Sequence, residues 1–286
     1  MQKTVYDARL DKASRLKSLL PPAPPGCLSD VPLELFLFDD GQLSVIYAPL
    51  DVVNRRARLV LAGLTPSWKQ ARAAYAAHSE LLADQREAAG SNATPASADD
   101  AETGLEIQRR AAFAGTMRQN LVAMLDELGV QRCLGIESTQ SLFAAHAHLV
   151  HCTSVLRYPV FKAGKNYSGQ HPKPLAHPFL RAMLERVCAA ELAGVDDALI
   201  VPLGKAAEES LEHLTALGQL RGDRVLRGFP HPSASNAHRK VEFARAKAGL
   251  EWQVHSWFER GSLPPQRFAG DWQAHESTRG RLSASL

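Results

Sequence analysis

Three things are scarce in this chain of 286 residues. No apolar run approaches the roughly eighteen residues that a membrane helix needs, so no spanning segment is expected. Cysteine occurs four times, at Cys27, Cys133, Cys152 and Cys188, and no two are close enough to form a CxxC pair. Zinc and iron–sulfur sites commonly draw on at least one such pair, so no metal, cluster or other cofactor is expected and the thiols read as reduced and mostly buried. Charge of one sign is also missing: 33 Lys and Arg against 30 Asp and Glu leave +3, too little by itself to name a partner. The opening MQKTVYDARLDKASRLKSLL lacks a signal-peptide hydrophobic stretch, and Asp7 and Asp11 are out of place in a transit sequence. The expectation is a monomeric protein of the cytoplasm.

What is present is 45% apolar residues, enough for one substantial core. The runs LELFLF (33–38), LSVIYA (43–48), ARLVLAGL (57–64), CLGIE (133–137), HLVHCTSVL (148–156), DALIVPLG (197–204) and DRVLRGF (223–229) read as strands. DDGQ between the first two is a hairpin signal. Helical patterns lie near 68–88, 106–129, 175–192, 205–217 and 236–248. Strands alternating with helices predict an α/β fold of three layers, α/β/α, with a mostly parallel central sheet, and the continuous apolar runs suit strands covered on both faces. The predicted organisation is an N-terminal helix and β-hairpin attachment over 1–56, an α/β core over 57–258 and an extended tail over 259–286. Residues 88–104, AAGSNATPASADDAETG, offer little to a core and read as a flexible insertion.

Ligands of open α/β sheets bind beyond the carboxyl ends of the strands, and three loops there have unusual composition. AGLTPSWKQAR (62–72) turns from strand to helix through Gly63, Thr65, Pro66 and Ser67, and the helix start offers N–H groups to an anion or carbonyl. HCTSVLRYPVFKAGKNYSG (151–169) carries Thr153, Ser154 and Asn166. VLRGFPHPSASNAHRK (225–240) holds His231 between Pro230 and Pro232, with Arg239 and Lys240 just beyond. Taken singly, His231 suits a structural turn, the basic residues a solvated helix face, and Phe113 a core position.

Taken together, GLTPS and HPSAS resemble the paired motifs of the uracil-DNA glycosylase superfamily, a Gly-x-x-Pro loop and a His-Pro loop that face each other across a base pocket. FAGTMRQNLVAMLDELGV (113–130) looks like the segment that supplies the aromatic stacked on an extruded base. HLVHCTSVL stands in the place of the strand ending in Thr-Asn, and ALIVPLGKAAEESL is similar to the strand-Gly-Lys-helix that follows. The resemblance runs in order over about 57–250 and implies a uracil-DNA-glycosylase-like fold.

The roles it implies follow the chemistry of base excision. The nucleotide is turned out of the duplex, the C1′–N bond breaks, and the base leaves as an anion. His231, as a neutral donor, would strengthen its bond to the base oxygen as charge develops. Phe113 would stack on the base, and Gly63, Leu64, Pro66, Ser67, Thr153 and Ser154 would complete the pocket. Ser233, Ser235, Arg239, Lys240, Lys162 and Lys165 would contact the DNA backbone. Thr65 stands where many members carry Asp or Asn to position water, and it is a poor base. Ser154 stands where an Asn reads the pyrimidine edge, and it cannot supply donor and acceptor in one plane. Asn166 is a candidate to take over from either, and Glu137 and Asp99 are further candidates to replace Thr65. The altered pocket and the insertion suggest a bulkier substrate than uracil, such as a glucosylated hydroxymethylcytosine of phage DNA, removed in antiviral defence. A conventional repair uracil glycosylase, a non-catalytic DNA reader and a hydrolase of small nucleosides are the other readings.

Overall fold

The computed structural model describes residues 9–11, 13–89 and 101–262. At its centre, β3 (Leu59–Gly63), β4 (Val150–Ser154) and β7 (Leu199–Pro202) form a parallel sheet in the order β4-β3-β7. Beyond β7, Val225 bridges Ile200 in parallel, and the Leu226 N–H donates to the Ile200 carbonyl at 2.8 Å. Of the predicted strand 223–229, only this short pairing forms.

Alternation along the strands divides the core. Val60, Ala62, Ala198 and Ile200 face one cluster, which includes Ala71 and Tyr75 of helix Trp68–Ala89 and Ala207, Leu211 and Leu214 of helix Lys205–Ala216. Leu59, Leu61, Leu199 and Val201 face another, with Leu121, Met124 and Leu125 of helix Gly115–Glu127 and Phe243, Leu250 and Val254 of helix Arg239–Ser262. Both faces of the strands are thus covered by helices, the arrangement their unbroken apolar runs demand. The fold is α/β around a parallel sheet.

A second sheet departs from the sequence reading. β1 (Phe36–Asp39) and β2 (Leu43–Ile46) form the expected hairpin, but β2 also pairs with β5 (Val160–Lys162), which pairs with β6 (Lys165–Asn166). All four are antiparallel, and Leu37, Val45 and Ile46 join the same cluster as Val60. The hairpin predicted as an attachment thus pairs with β5 and shares a core cluster with strands of the 57–258 segment. Short strands leave weak periodicity, and β5 and β6 lie in what reads as a loop.

Other elements differ for identifiable reasons. CLGIE is no strand: helix Val130–Leu134 occupies its first half, bounded by Gly129 and Gly135 at φ 79° and 69°, left-handed conformations that stop a helix at each end. The helix expected over 106–129 breaks into Ala101–Ala111 and Gly115–Glu127, with Gly115 at φ 60°. That break places Phe113 in a connection rather than on a helix face. The helix expected over 175–192 starts at Pro178 and carries a π turn at Met183–Cys188, and the last helix runs well past 248, from Arg239 to Ser262. Residues 88–89 and 101–104 of the predicted flexible insertion are helical, with Thr103 and Gly104 buried, and 259–262 of the predicted extended tail continue the last helix, so those readings are corrected there. Residues 90–100 and 263–286 lie outside the described residues, as do 1–8 and 12 of the N-terminal segment.

Candidate functional site

The loops leaving β3, β4 and β7 meet at one end of the parallel sheet. In chain order the strands run outward from β3 in both directions, so β3/β7 is the point where the order reverses, the usual place for a ligand in such sheets. Gly63 ends β3. A methyl group there would stand 3.5 Å from the Phe113 ring and 3.4 Å from the Ser154 hydroxyl, so both side chains lie against Gly63. All three are buried. Pro66, Thr153, Ser154, Phe113, Gln70 and Arg157 line a recess of about 20 Å³ at this point. A larger cavity of about 630 Å³ adjoins it, and Gln108, Ala112 and Cys152 line both.

Across the reversal point, Gly204 follows β7 with φ 93°. A Cβ on Gly204 would come within 2.9 Å of the His231 Cβ and 3.0 Å of its ring, so the imidazole lies directly on this glycine. Neighbouring strands are about 4.8 Å apart, which brings the ends carrying Gly63 and Gly204 close together. His231 Nδ1 accepts from the Ser233 N–H at 3.1 Å, which leaves the proton of the neutral ring on Nε2. Burial holds its pKa below the ordinary histidine value, so the ring is a neutral donor.

Helix Gly115–Glu127 fixes both loops. The Arg118 guanidinium donates to the Phe113 carbonyl and lies over the Phe143 ring at 4.6 Å. Two residues on, Asn120 Nδ2 donates to the Pro232 carbonyl at 2.9 Å. Asn236 Nδ2 reaches the His231 carbonyl at 3.3 Å, and Arg239 Nη1 the Ser233 carbonyl at 2.6 Å. The sequence hid Arg118, Asn120 and Asn236 because polar residues at such positions read as solvated surface. Gly204 had a signal, a glycine between a buried strand and a helix.

The structure places the remaining predicted residues unevenly. Thr65 Oγ1 donates to the Tyr158 carbonyl at 3.1 Å and accepts from the Val160 N–H at 3.0 Å, so its hydroxyl locks two loops together. Ser67 caps helix Trp68–Ala89 reciprocally with Gln70: its N–H and Oγ lie 3.1 Å from Gln70 Oε1, and its Oγ accepts from the Gln70 N–H. Asn166 is exposed on β6 and takes the Trp68 N–H at 2.8 Å. The expectation that this helix start offers free N–H groups is therefore corrected: Ser67, Trp68 and Gln70 have theirs satisfied. Asn166 does not line the recess of Phe113 and Ser154.

Half-buried Leu64 packs against Gly169. The Ser233 and Ser235 hydroxyls bond one another at 3.0 Å and do not cap the final helix. Lys240 is exposed at that helix's start. Lys162 and Lys165 face each other across the β5–β6 hairpin, whose loop residues Ala163 and Gly164 have φ 46° and 72°. Like charges placed directly opposite destabilise a hairpin, and positive φ strains an alanine.

Behind the recess lies a buried ionic group that the motifs did not announce. Arg157 pairs with Glu191, and His151 Nε2 lies 2.6 Å from Glu191 Oε1. All three side chains are under 5% exposed. Burial and the Arg157 charge push the His151 pKa down to about 3, so this ring is neutral and donates to the carboxylate. The four cysteines are free thiols, and burial pushes Cys188 up to about 12.

Fold and site together define an α/β protein with a loop-built pocket at the carboxyl edge of a parallel sheet. No family model matches the chain, and no solved structure matches it. It is 38% identical over 225 residues to the uncharacterized protein YoxB of Bacillus subtilis (strain 168), an alignment covering 77% of this chain and 82% of that protein. The chain belongs to the same family as YoxB. Among the described residues no helix is long and apolar enough to cross a membrane.

Proposed function

We propose that the protein is a DNA N-glycosylase of uracil-DNA-glycosylase-like fold that extrudes and excises a modified or aberrant pyrimidine, leaving an abasic site. The observation that carries this reading is the tethering of two loops to one helix. Arg118 holds the connection that bears Phe113, and Asn120 holds the loop that bears His231. Phe113, against Gly63 at the end of β3, and the neutral donor His231, against Gly204 after β7, are thereby preorganised over adjacent strand ends, which is what a reaction releasing a base anion needs. In the reaction, the C1′–N electron pair leaves with the base, water oxygen bonds C1′, and a water proton balances the departing nitrogen. His231 Nε2–H donates to a base oxygen as charge arrives there.

The adjoining cavity of about 630 Å³ supports a bulky substrate. Gln85 Oε1, buried and without a hydrogen-bond partner, and the exposed His148 ring among its walls suit a polar substituent, such as the sugar of a glucosylated hydroxymethylcytosine, whereas the side-chain donors of Asn54, Gln85 and Gln108 are held by neighbouring protein oxygens. The test is mass-spectrometric detection of released base from DNAs containing uracil, mismatched thymine, hydroxymethylcytosine or glucosylated hydroxymethylcytosine. The reading expects a sugar-bearing cytosine to be released; release of uracil alone supports the conventional repair role instead.

A second reading rests on Thr65. Its proton is committed to the Tyr158 carbonyl, and no carboxylate lines the small recess among the described residues. A DNA reader of the same fold needs no group to activate water, and it would bind these DNAs in a salt-dependent way and release nothing.

A further inference from the structure

Arg157 is the buried residue that neither the motifs nor the packing of the core explains. It lines the 20 Å³ recess together with Phe113, Thr153 and Ser154, and its side chain is 4% exposed. One end of the guanidinium is accounted for: Nη1 meets Glu191 and lies 3.4 Å from Thr153 Oγ1. Nε has no hydrogen-bond partner. A buried donor left unpaired carries the full desolvation penalty of that group, and more so on a charged side chain. Removing a guanidinium from water is tolerable only with a counter-ion, which Glu191 supplies and His151 orients through its own bond to the same carboxylate oxygen. The triad thus holds a planar cation in fixed orientation at the wall of the recess.

Size decides what the recess admits. About 10–15 Å³ suffices for one water-sized probe, so about 20 Å³ takes one oxygen atom and not a ring. We propose that Arg157 is the base-reading residue of this site, its Nε–H donating, beside the Ser154 hydroxyl, to an exocyclic carbonyl oxygen of a pyrimidine stacked on Phe113. This inference rests on the base-pocket reading of the site and adds a residue to it. It answers the substitution at Ser154: a hydroxyl alone cannot present a directed pair of hydrogen bonds, whereas a guanidinium offers donors in a rigid plane. It also supplies a second place for the electron pair that leaves with the base, since a fixed, buried cationic donor gains strength as negative charge reaches the oxygen.

The test uses the full chain and two measurements. The first is calorimetric binding of barbiturate, a free pyrimidine that carries carbonyl oxygens and is anionic at neutral pH. Wild type is expected to bind it, and Arg157→Lys, which keeps the charge beside Glu191 but lacks the planar N–H, to bind about 10- to 100-fold more weakly. The double variant Arg157→Met with Glu191→Leu removes both charges, so no lone buried ion threatens folding, and the same weakening is expected. The second measurement is single-turnover base release, expected to fall in Arg157→Lys while DNA affinity holds. Failure of wild type to bind barbiturate, or equal binding by wild type and both variants, overturns the assignment. Base release that is indifferent to Arg157→Lys overturns it as well and leaves the glycosylase reading intact. Arg157-dependent barbiturate binding with no base released from any DNA leaves Arg157 as the base reader and removes the catalytic reading.

Discussion

Gly204 and His231 show how much can rest on one missing methyl group. With φ at 93° and the imidazole against its Cα, Gly204 has room for no side chain. Gly204→Ala is expected to push the His231 ring off its position. A displacement of about 1 Å at a donor of this kind costs on the order of a hundredfold in rate, so base release should fall by about that factor while circular dichroism keeps its native form. His231 also sets a pH dependence. Its burial and the Ser233 N–H directed at Nδ1 both favour the neutral ring. Protonation would occupy the lone pair that the amide uses. Rates measured against pH are therefore expected to stay level through neutrality and to decline only on the acid side of 6.5, the ordinary histidine value.

At the scale of elements, helix Gly115–Glu127 is the part that joins the two halves of the site. Asn120→Leu deletes its bond to the Pro232 carbonyl and should slow base release about tenfold or more. The thermal midpoint should drop only by the few degrees that removing one hydrogen bond of about 1 kcal/mol implies. An equal fall in stability and no change in rate would assign Asn120 to folding alone. The β5–β6 hairpin makes a different kind of prediction. Two lysines opposed across a loop with an alanine at positive φ cost stability, a cost that binding to phosphates would offset. Replacing Lys162 and Lys165 by Gln should make DNA binding weaker and its dependence on log salt shallower, by about 0.7 to 0.9 for each phosphate no longer neutralised. The elements also differ in how legible they were. β3 and β7 could be read directly because both faces are buried and the apolar run is unbroken. Gly63, Phe113 and Ser154 were legible through the order of their motifs, and the structure brings them together. The β5–β6 hairpin was not legible, because strands of two or three residues carry no period. The Arg118 and Asn120 tethers were not legible either, because a polar side chain on a helix looks the same in sequence whether it meets solvent or a carbonyl. Thr65 and Asn166 went the other way: their types suggested chemistry, and backbone groups of neighbouring loops claimed their polar atoms.

For the whole molecule, the buried His151–Glu191–Arg157 group links stability to acid. Unfolded, the imidazole takes up a proton near 6.5; folded, only near pH 3. Between those values the unfolded chain holds more protons, so this contribution to stability is complete above 6.5 and disappears as pH falls toward about 3. Urea denaturation across that window should show the decline, and His151→Gln should flatten it. The central claim, however, concerns two loops acting on one base, and His231 is its most exposed point. The decisive measurement is single-turnover base release, together with DNA affinity, for wild type and His231→Ala on the DNA whose base the wild type removes. A drop in turnover of about a hundredfold or more with affinity unchanged is the result expected of a donor that acts on developing charge. Turnover undiminished by His231→Ala, or no base released by wild type from any DNA that it binds, contradicts the account.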